Sequence, residues 1–312
     1  MSSPTKPSVC LCVPTFRRPV GLRKLLTHIE RSTYPGAITV IVVDNDAENR
    51  AGIAVVESIA PTFRLPITGF VEPRRGHTYA YNSAFARACR TVPTPDYVAV
   101  LDDDEYPDPD WLAELTTVAR QYDADIVGGP VFPVFDAPTH WLAESGLYAP
   151  ARYPTGRVPM IYGAGNMLIR RSVLEQYLDE PFHHAFAFTG GSDSEFFRRC
   201  QADGRSFAWA DDARVFETMP RSRTTVGYLL LRKFRTGTEA TRIDRKLSGG
   251  IGAVIRHWCK GLGLVSLGIF SLPAAAWGGR RAAMNSLIWA ARGVGYIAAE
   301  FGIFYEEYRN PR

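Results

Sequence analysis

The chain has 312 residues, 46% of them hydrophobic and 22% charged, and a formal net charge of +4 at pH 7. That length supports one large domain or two smaller ones, the apolar content excludes a disordered polymer, and so small a cationic excess gives no reason to expect nucleic acid. Five scattered cysteines (Cys10, Cys12, Cys89, Cys200, Cys259) form no C-x-x-C pair, so no disulfide framework or structural zinc site is signalled and a reducing compartment is the simpler reading.

The polar start, Met1 to Ser8, runs straight into a strand and reads as lacking a secretory signal. That strand, Val9 to Val13, is a continuous apolar run suited to the centre of a parallel sheet, with Pro14 ending it. A helix follows from about Val20 to Ile29, with Leu22, Leu25, Leu26 and Ile29 on one stripe. A second strand, Ile38 to Val43, closes on Asp44-Asn45. A helix over Ile53 to Ile59 and a short strand over Ile67 to Val71 precede Glu72-Pro73-Arg74-Arg75-Gly76. Another helix, Tyr79 to Arg90, leads to the strand Tyr97 to Leu101, which delivers Asp102-Asp103-Asp104-Glu105. Such alternation predicts a parallel sheet with crossover helices, in which ligands bind beyond the carboxyl ends of strands. Asp44 and the acidic run both fall at such ends.

Residues 128–165 are rich in Pro, Gly and aromatics and read as loops and short strands. After them come a helix from Arg171 to Tyr177, a loop from Phe182 to Gly191, and a helix opened by Ser192-Asp193-Ser194-Glu195. Short strands near Phe207 to Trp209 and Arg214 to Glu217 follow. From Arg221 to Lys246 eight Arg and Lys stand against only Glu239 and Asp244. Gly261 to Gly279 is free of charge, and Ala282 to Phe304 is largely apolar but carries Arg292 and Glu300. We therefore expect a catalytic body over residues 1–220, with a nucleotide-binding half at about 8–105 and an acceptor half at about 106–220. A basic segment and apolar helical tail over 221–312 would associate with a membrane.

Asp102 and Asp104 stand two apart, so an extended backbone would point both carboxylates the same way. Oxygen-rich side chains converging at a strand end suit magnesium or manganese, which can stabilise charge developing on a leaving diphosphate. An acidic turn held only by solvent is the bland alternative. Asp44 can accept hydrogen bonds from a nucleobase or ribose, or simply cap the next helix. Asp193, behind Gly190-Gly191 and at a helix start that favours an ionised carboxylate, suits a general base, or again a cap.

Together these segments, over residues 8–240, resemble the family 2 glycosyltransferases, inverting enzymes of the GT-A fold. The likeness rests on Val13-Pro14-Thr15-Phe16-Arg17-Arg18-Pro19, Val42-Val43-Asp44-Asn45, Arg75-Gly76 through Asn82, Leu101-Asp102-Asp103-Asp104-Glu105, Gly163-Ala164-Gly165-Asn166 and Gly190-Gly191-Ser192-Asp193. It implies an α/β, Rossmann-like, mostly parallel sheet flanked by helices. It also implies sugar transfer from a nucleoside-diphosphate sugar, UDP-linked by expectation, to a hydroxyl of a glycan or lipid-linked acceptor. Asp193 would be the base, and Asp104 and Glu217 would hold Mn2+ or Mg2+. Pro14, Thr15, Arg17, Asp44, Arg75, Asn82, Asp102, Asp103, Asn166, Arg232 and Arg235 would bind the donor. Three departures stand out. Tyr81 replaces a frequent Arg, Ser192 replaces the usual Glu, leaving Glu105 or Glu195 as supporting carboxylates, and Glu217 falls where many members carry a metal-binding His. The pattern is closest to bacterial enzymes of exopolysaccharide and lipid-linked glycan synthesis, on the cytoplasmic face of the inner membrane.

For the tail three readings stand: a pair of spanning helices, interfacial helices among head groups, or a soluble helical cap. Five glycines and Pro273 make Gly261 to Gly279 only mildly hydrophobic, and Arg292 is costly in hydrocarbon. Trp258, Trp277, Trp289 and Tyr305 near segment ends favour the interface. Neighbouring His183 and His184 lack a third ligand at metal spacing. Rival functions are a dehydrogenase or sugar nucleotidyltransferase, against which the first turn, Pro14 to Arg18, has no glycine-rich pattern, and a non-catalytic nucleotide-sugar or glycan-binding protein.

Overall fold

The computed structural model describes residues 6–136, 141–273 and 275–309. The chain divides into two compact units. The first takes in residues up to 134, 149–187 and 192–218, and the second 135–148, 188–191 and the chain from Met219 on.

The first unit is built on β1 (Val9–Thr15), α1 (Pro19–Ile29), β2 (Ile38–Asp44), α2 (Ala51–Ile59), β3 (Ile67–Val71), α3 (His77–Arg90), β4 (Tyr97–Val100), β5 (Glu105–Pro107) and α4 (Trp111–Gln121). It continues through β6 (Ile126–Gly128), β7 (Val131–Phe135), β8 (Gly156–Val158), β9 (Met167–Arg170), α6 (Arg171–Glu175), α7 (Ser192–Ala202), β10 (Phe207–Trp209) and β11 (Val215–Met219), the last residues of β7 and β11 falling in the second unit. Eight strands form one sheet in the order β3-β2-β1-β4-β9-β6-β10-β8, and β5, β11 and β7 form a small second one. Pairs β3-β2, β2-β1, β1-β4 and β6-β10 are parallel; β9 runs antiparallel to both β4 and β6. Alternation was thus a sound guide up to β4, beyond which the sheet is mixed.

Every residue of β1 is buried, because the period of two sends its side chains into separate cores on the two faces. Leu11 and Val13 meet Leu22, Leu25, Leu26, Leu112 and Leu115 from α1 and α4. Cys10 and Cys12 meet Phe85, Phe182, Phe196 and Phe197 on the other side. Each such side chain contributes about 1.5–3 kcal/mol by leaving water. Pro14 does not end the strand: it pairs with Val43, and β1 runs on until Thr15 stands opposite Asp44.

The second unit holds α5 (Trp141–Glu144), α8 (Val226–Ser248), α9 (Ile251–Ser271) and α10 (Ala275–Glu300). Its core gathers Leu142, Tyr148, Met219, Leu229 and Met284. Among the described residues no helix is long and apolar enough to cross a membrane. The spanning reading of the tail therefore has no helix to carry it among the described residues: glycines and Pro273 weaken the hydropathy of the first apolar stretch, and Arg292 interrupts the second.

Candidate active site

The carboxyl ends of β1, β2 and β4 meet in the first unit. Asp102 to Glu105 is not the extended segment expected. It is a tight turn, closed by the Glu105 amide donating to the Asp102 carbonyl at 3.0 Å. The turn is stitched to β1: the Thr15 hydroxyl and Phe16 amide donate to Asp103 Oδ2 at 2.8 and 3.2 Å. One nitrogen of the Arg18 guanidinium bridges Asp103 Oδ1 at 2.9 Å and Asp104 Oδ2 at 2.7 Å. Burial works against the Arg18 charge, but Asp103 and Asp104 outweigh it, so its pKa rises.

Asp102 accepts from the Tyr81 hydroxyl, and its backbone amide donates to Glu105 Oε2 at 2.8 Å. Burial first and repulsion from Asp104 second push the Asp102 carboxyl up to about 7. Burial and then Asp102 push Glu105 well up, and burial raises Asp103 against the pull of Arg18. Glu217 on β11 stands in register with Glu105 on β5 and adds its charge to the same cluster. Gly165 approaches so closely that a Cβ there would lie 2.0 Å from Glu105 Oε1.

These carboxylates have the donor chemistry of a hard divalent cation, and their mutual repulsion is what such a cation relieves. As they stand, Asp104 is held by Arg18 and Asp102 by Tyr81. No group of three or more His, Cys, Asp or Glu among the described residues is arranged to hold a metal ion.

The first two turns of α3 connect this acidic turn to Ser192, the residue before Asp193. Tyr81 touches Asp102, and one turn earlier on the same face His77 lies 3.0 Å from the Ser192 hydroxyl, with its other ring nitrogen 2.9 Å from the Ala187 carbonyl. Ser192 and Asp193 open α7 behind Gly190 and Gly191, whose φ angles of +83° and +87° suit glycine. Asn45, at the end of β2, accepts from the Gly76 amide and donates to the Glu72 and Arg74 carbonyls, which fixes the turn ahead of α3.

Other expected donor ligands are engaged within the chain. Asp44 is buried, and accepts from the amides of Gly52 at 2.7 Å and Ile53 at 3.2 Å at the start of α2 and from Asp46 at 2.9 Å. Its capping role is the one the fold displays. The Asn82 amide grips both backbone groups of Phe182, at 2.7 and 2.8 Å. Asn166 accepts from the Trp111 indole at 2.7 Å and donates to Pro130 and Ala213. Glu195 is buried and pairs with Arg199, 2.9 Å away. Arg17 pairs with Asp46 and, like exposed Arg75, flanks the Phe16 ring at 5.0 Å, so cations line this edge. Arg232 and Arg235 lie on α8 of the second unit, where Arg235 pairs with Glu239 and Glu307. Arg18, Asn45, His77 and Tyr81 are the side chains that sequence reasoning did not place in the site. Arg18, Asn45 and His77 stood inside the quoted motifs without a role of their own, and Tyr81 was noted as a departure from a frequent Arg.

The sequence profile described as Glycosyl transferase family 2 matches residues 10–178. Succinoglycan biosynthesis protein ExoM of Rhizobium meliloti (strain 1021) is 31% identical over 244 residues, covering 77% of this chain and 76% of that protein. Among solved structures, mannosyltransferase PcManGT from Pyrobaculum calidifontis, in complex with GDP-Man and Mn2+, covers 95% of this chain and 86% of its own, at 22% identity and a TM-score of 0.58. S. aureus TarS 1-349 in complex with UDP covers 96% and 93%, at 13% identity and a TM-score of 0.53. At such identities the structural likeness is one of fold, a mostly parallel α/β sheet flanked by helices of GT-A type.

Proposed function

The chain belongs to glycosyl transferase family 2, and from that premise we propose that it transfers a sugar, with inversion, from a UDP-linked donor to a hydroxyl of a growing polysaccharide or lipid-linked glycan. The acceptor oxygen attacks the anomeric carbon while Asp193 takes its proton. The bond from that carbon to the β-phosphate oxygen breaks, and the nucleoside diphosphate leaves. One displacement inverts the configuration. Arg17 and Arg75 supply cations for the diphosphate. Asp104 and Glu217, beside Asp102, are the residues that would hold magnesium or manganese, which when bound offsets charge on the leaving diphosphate.

One observation carries the reading: the first two turns of α3 join the acidic turn, through Tyr81, to the start of α7, through His77 and Ser192. A nucleotide-holding segment and a proton acceptor are thereby anchored to one helix end. ExoM's part in succinoglycan biosynthesis supports a polysaccharide acceptor, and the UDP and GDP-Man complexes support a nucleotide-sugar donor.

Nucleoside-diphosphate release is measured across common sugar donors, with extracted acceptor lipid and with manganese, magnesium or chelator. Asp193→Asn should keep nucleotide affinity and lose transfer by about a hundredfold or more. Asp104→Ala should lose the metal-dependent part of nucleotide affinity. Turnover of Asp193→Asn at the parent rate would remove the base assignment, and binding without turnover by the parent would leave a nucleotide-sugar-binding protein.

A further inference from the structure

Helix α9 is amphipathic in an inverted sense. Its buried face carries Ala253, His257, Gly261 and Gly268, and these small residues let it approach α10: a Cβ on Gly261 would sit 3.0 Å from the Gly293 carbonyl, and one on Gly268 2.6 Å from that of Ser286. Its large apolar side chains point the other way. Ile251, Ile255, Leu262 and Ile269, at spacings that hold one helical stripe, are all exposed, Ile251 by 80%. Phe270, in the last turn of α9, is 82% exposed, and Trp277, in the first turn of α10, is 89% exposed. A soluble helix buries its large apolar residues and exposes its small or polar ones; close packing through glycine with large residues outward is the arrangement used against lipid.

The charges name the occupant. Between Ile251 and Glu300 stand Arg256, Lys260, Arg280, Arg281 and Arg292 against Glu300 alone. Arg256 and Lys260 stand on the far edge of the exposed side of α9, and Arg280 and Arg281 follow Trp277; all four are exposed. A second copy of this chain on the same face would bring like charges together, whereas an anionic bilayer meets the apolar stripe with acyl chain and its cationic border with phosphate. We infer that the exposed face of α9, with Phe270 and Trp277, lies in the interfacial layer of an anionic membrane. The face rests on it and does not cross it, as no described helix can span. This inference depends on the second unit alone and not on the transfer reaction.

The full-length chain is tested by flotation with phosphatidylcholine vesicles and with vesicles carrying about a quarter phosphatidylglycerol. It should float with the anionic vesicles, much less with the neutral ones, and less as salt rises. The double substitution F270S/W277S, at two exposed positions, should lower the bound fraction about tenfold or more, and R280E/R281E should do the same on anionic vesicles only. Circular dichroism and elution volume confirm that both variants fold. No flotation of the parent with anionic vesicles overturns the inference, as does undiminished flotation of F270S/W277S. So does a parent dimer in sedimentation that F270S/W277S dissolves, because the face is then a self-association surface.

Discussion

Tyr81 donates its hydroxyl hydrogen to a carboxyl that burial and Asp104 hold near neutrality, at about 7. That bond favours the ionised form of Asp102, so Tyr81→Phe should raise its pKa further, by about one pH unit. If catalysis needs Asp102 ionised, the acidic limb of kcat/KM for the donor moves up by the same amount, and a limb that stays put removes the role. Stability follows the opposite sense. A carboxyl whose folded pKa lies above its unfolded one keeps its proton in the folded state between about 4 and 7, so its contribution falls as pH rises through that window. Side chains here were unequally legible. Asp102 to Glu105 and Asp193 announced themselves through an apolar strand and a helix start. Asn82 and Asn166 were singled out only through the resemblance, as donor ligands, and the contacts of their amides (Phe182, Trp111, Ala213) lie far along the chain, where only the fold reveals them. Asp44 offered two roles in sequence, and the capped start of α2 shows one of them.

Helix α3 is the element that orders the site. Its first turns hold His77, Thr78, Tyr81 and Asn82, of which Asn82 fastens the segment at Phe182 and His77 the segment at Ala187 and Ser192. If Asn82 braces this segment, Asn82→Ala should lower stability by about 1–3 kcal/mol in urea and depress kcat more than it raises KM for the donor. A large KM effect with kcat intact would return Asn82 to donor binding. Up to β4 the elements were readable from apolar runs and stripes, because each strand lies beside a parallel neighbour and each helix shows one face to the sheet. Beyond β4 the reading lost α4 and β9. Met167–Arg170 is four residues long, and nothing local tells that it inserts antiparallel between β4 and β6.

Across the whole molecule, hydrophobic cores form separately in the two units, and the second also buries one polar side chain among its helices. His257 on α9 is buried, with one ring nitrogen 2.8 Å from Glu300 on α10 and the other 3.2 Å from Asp244 on α8, while Arg245 on α8 reaches Glu300 at 3.5 Å. The imidazole thus ties three helices that otherwise meet through small residues such as Gly237, Gly261 and Gly293. Composition alone hid this, because the tail reads as apolar, and a lone His beside two acids distant in sequence gives no periodic signal. His257→Phe keeps a ring against Tyr296 but leaves two carboxylates without their buried hydrogen-bond partner, at a cost of about 2–4 kcal/mol. Hydrogen–deuterium exchange read by mass spectrometry separates the consequences. Peptides from α8, α9 and α10 should exchange about thirtyfold faster or more, while peptides from β1, β2 and β4 serve as the internal reference and keep their protection. Equal acceleration in both sets would mean that the units open as one cooperative body, and protection unchanged in α8–α10 would mean that small-residue packing alone holds the three helices.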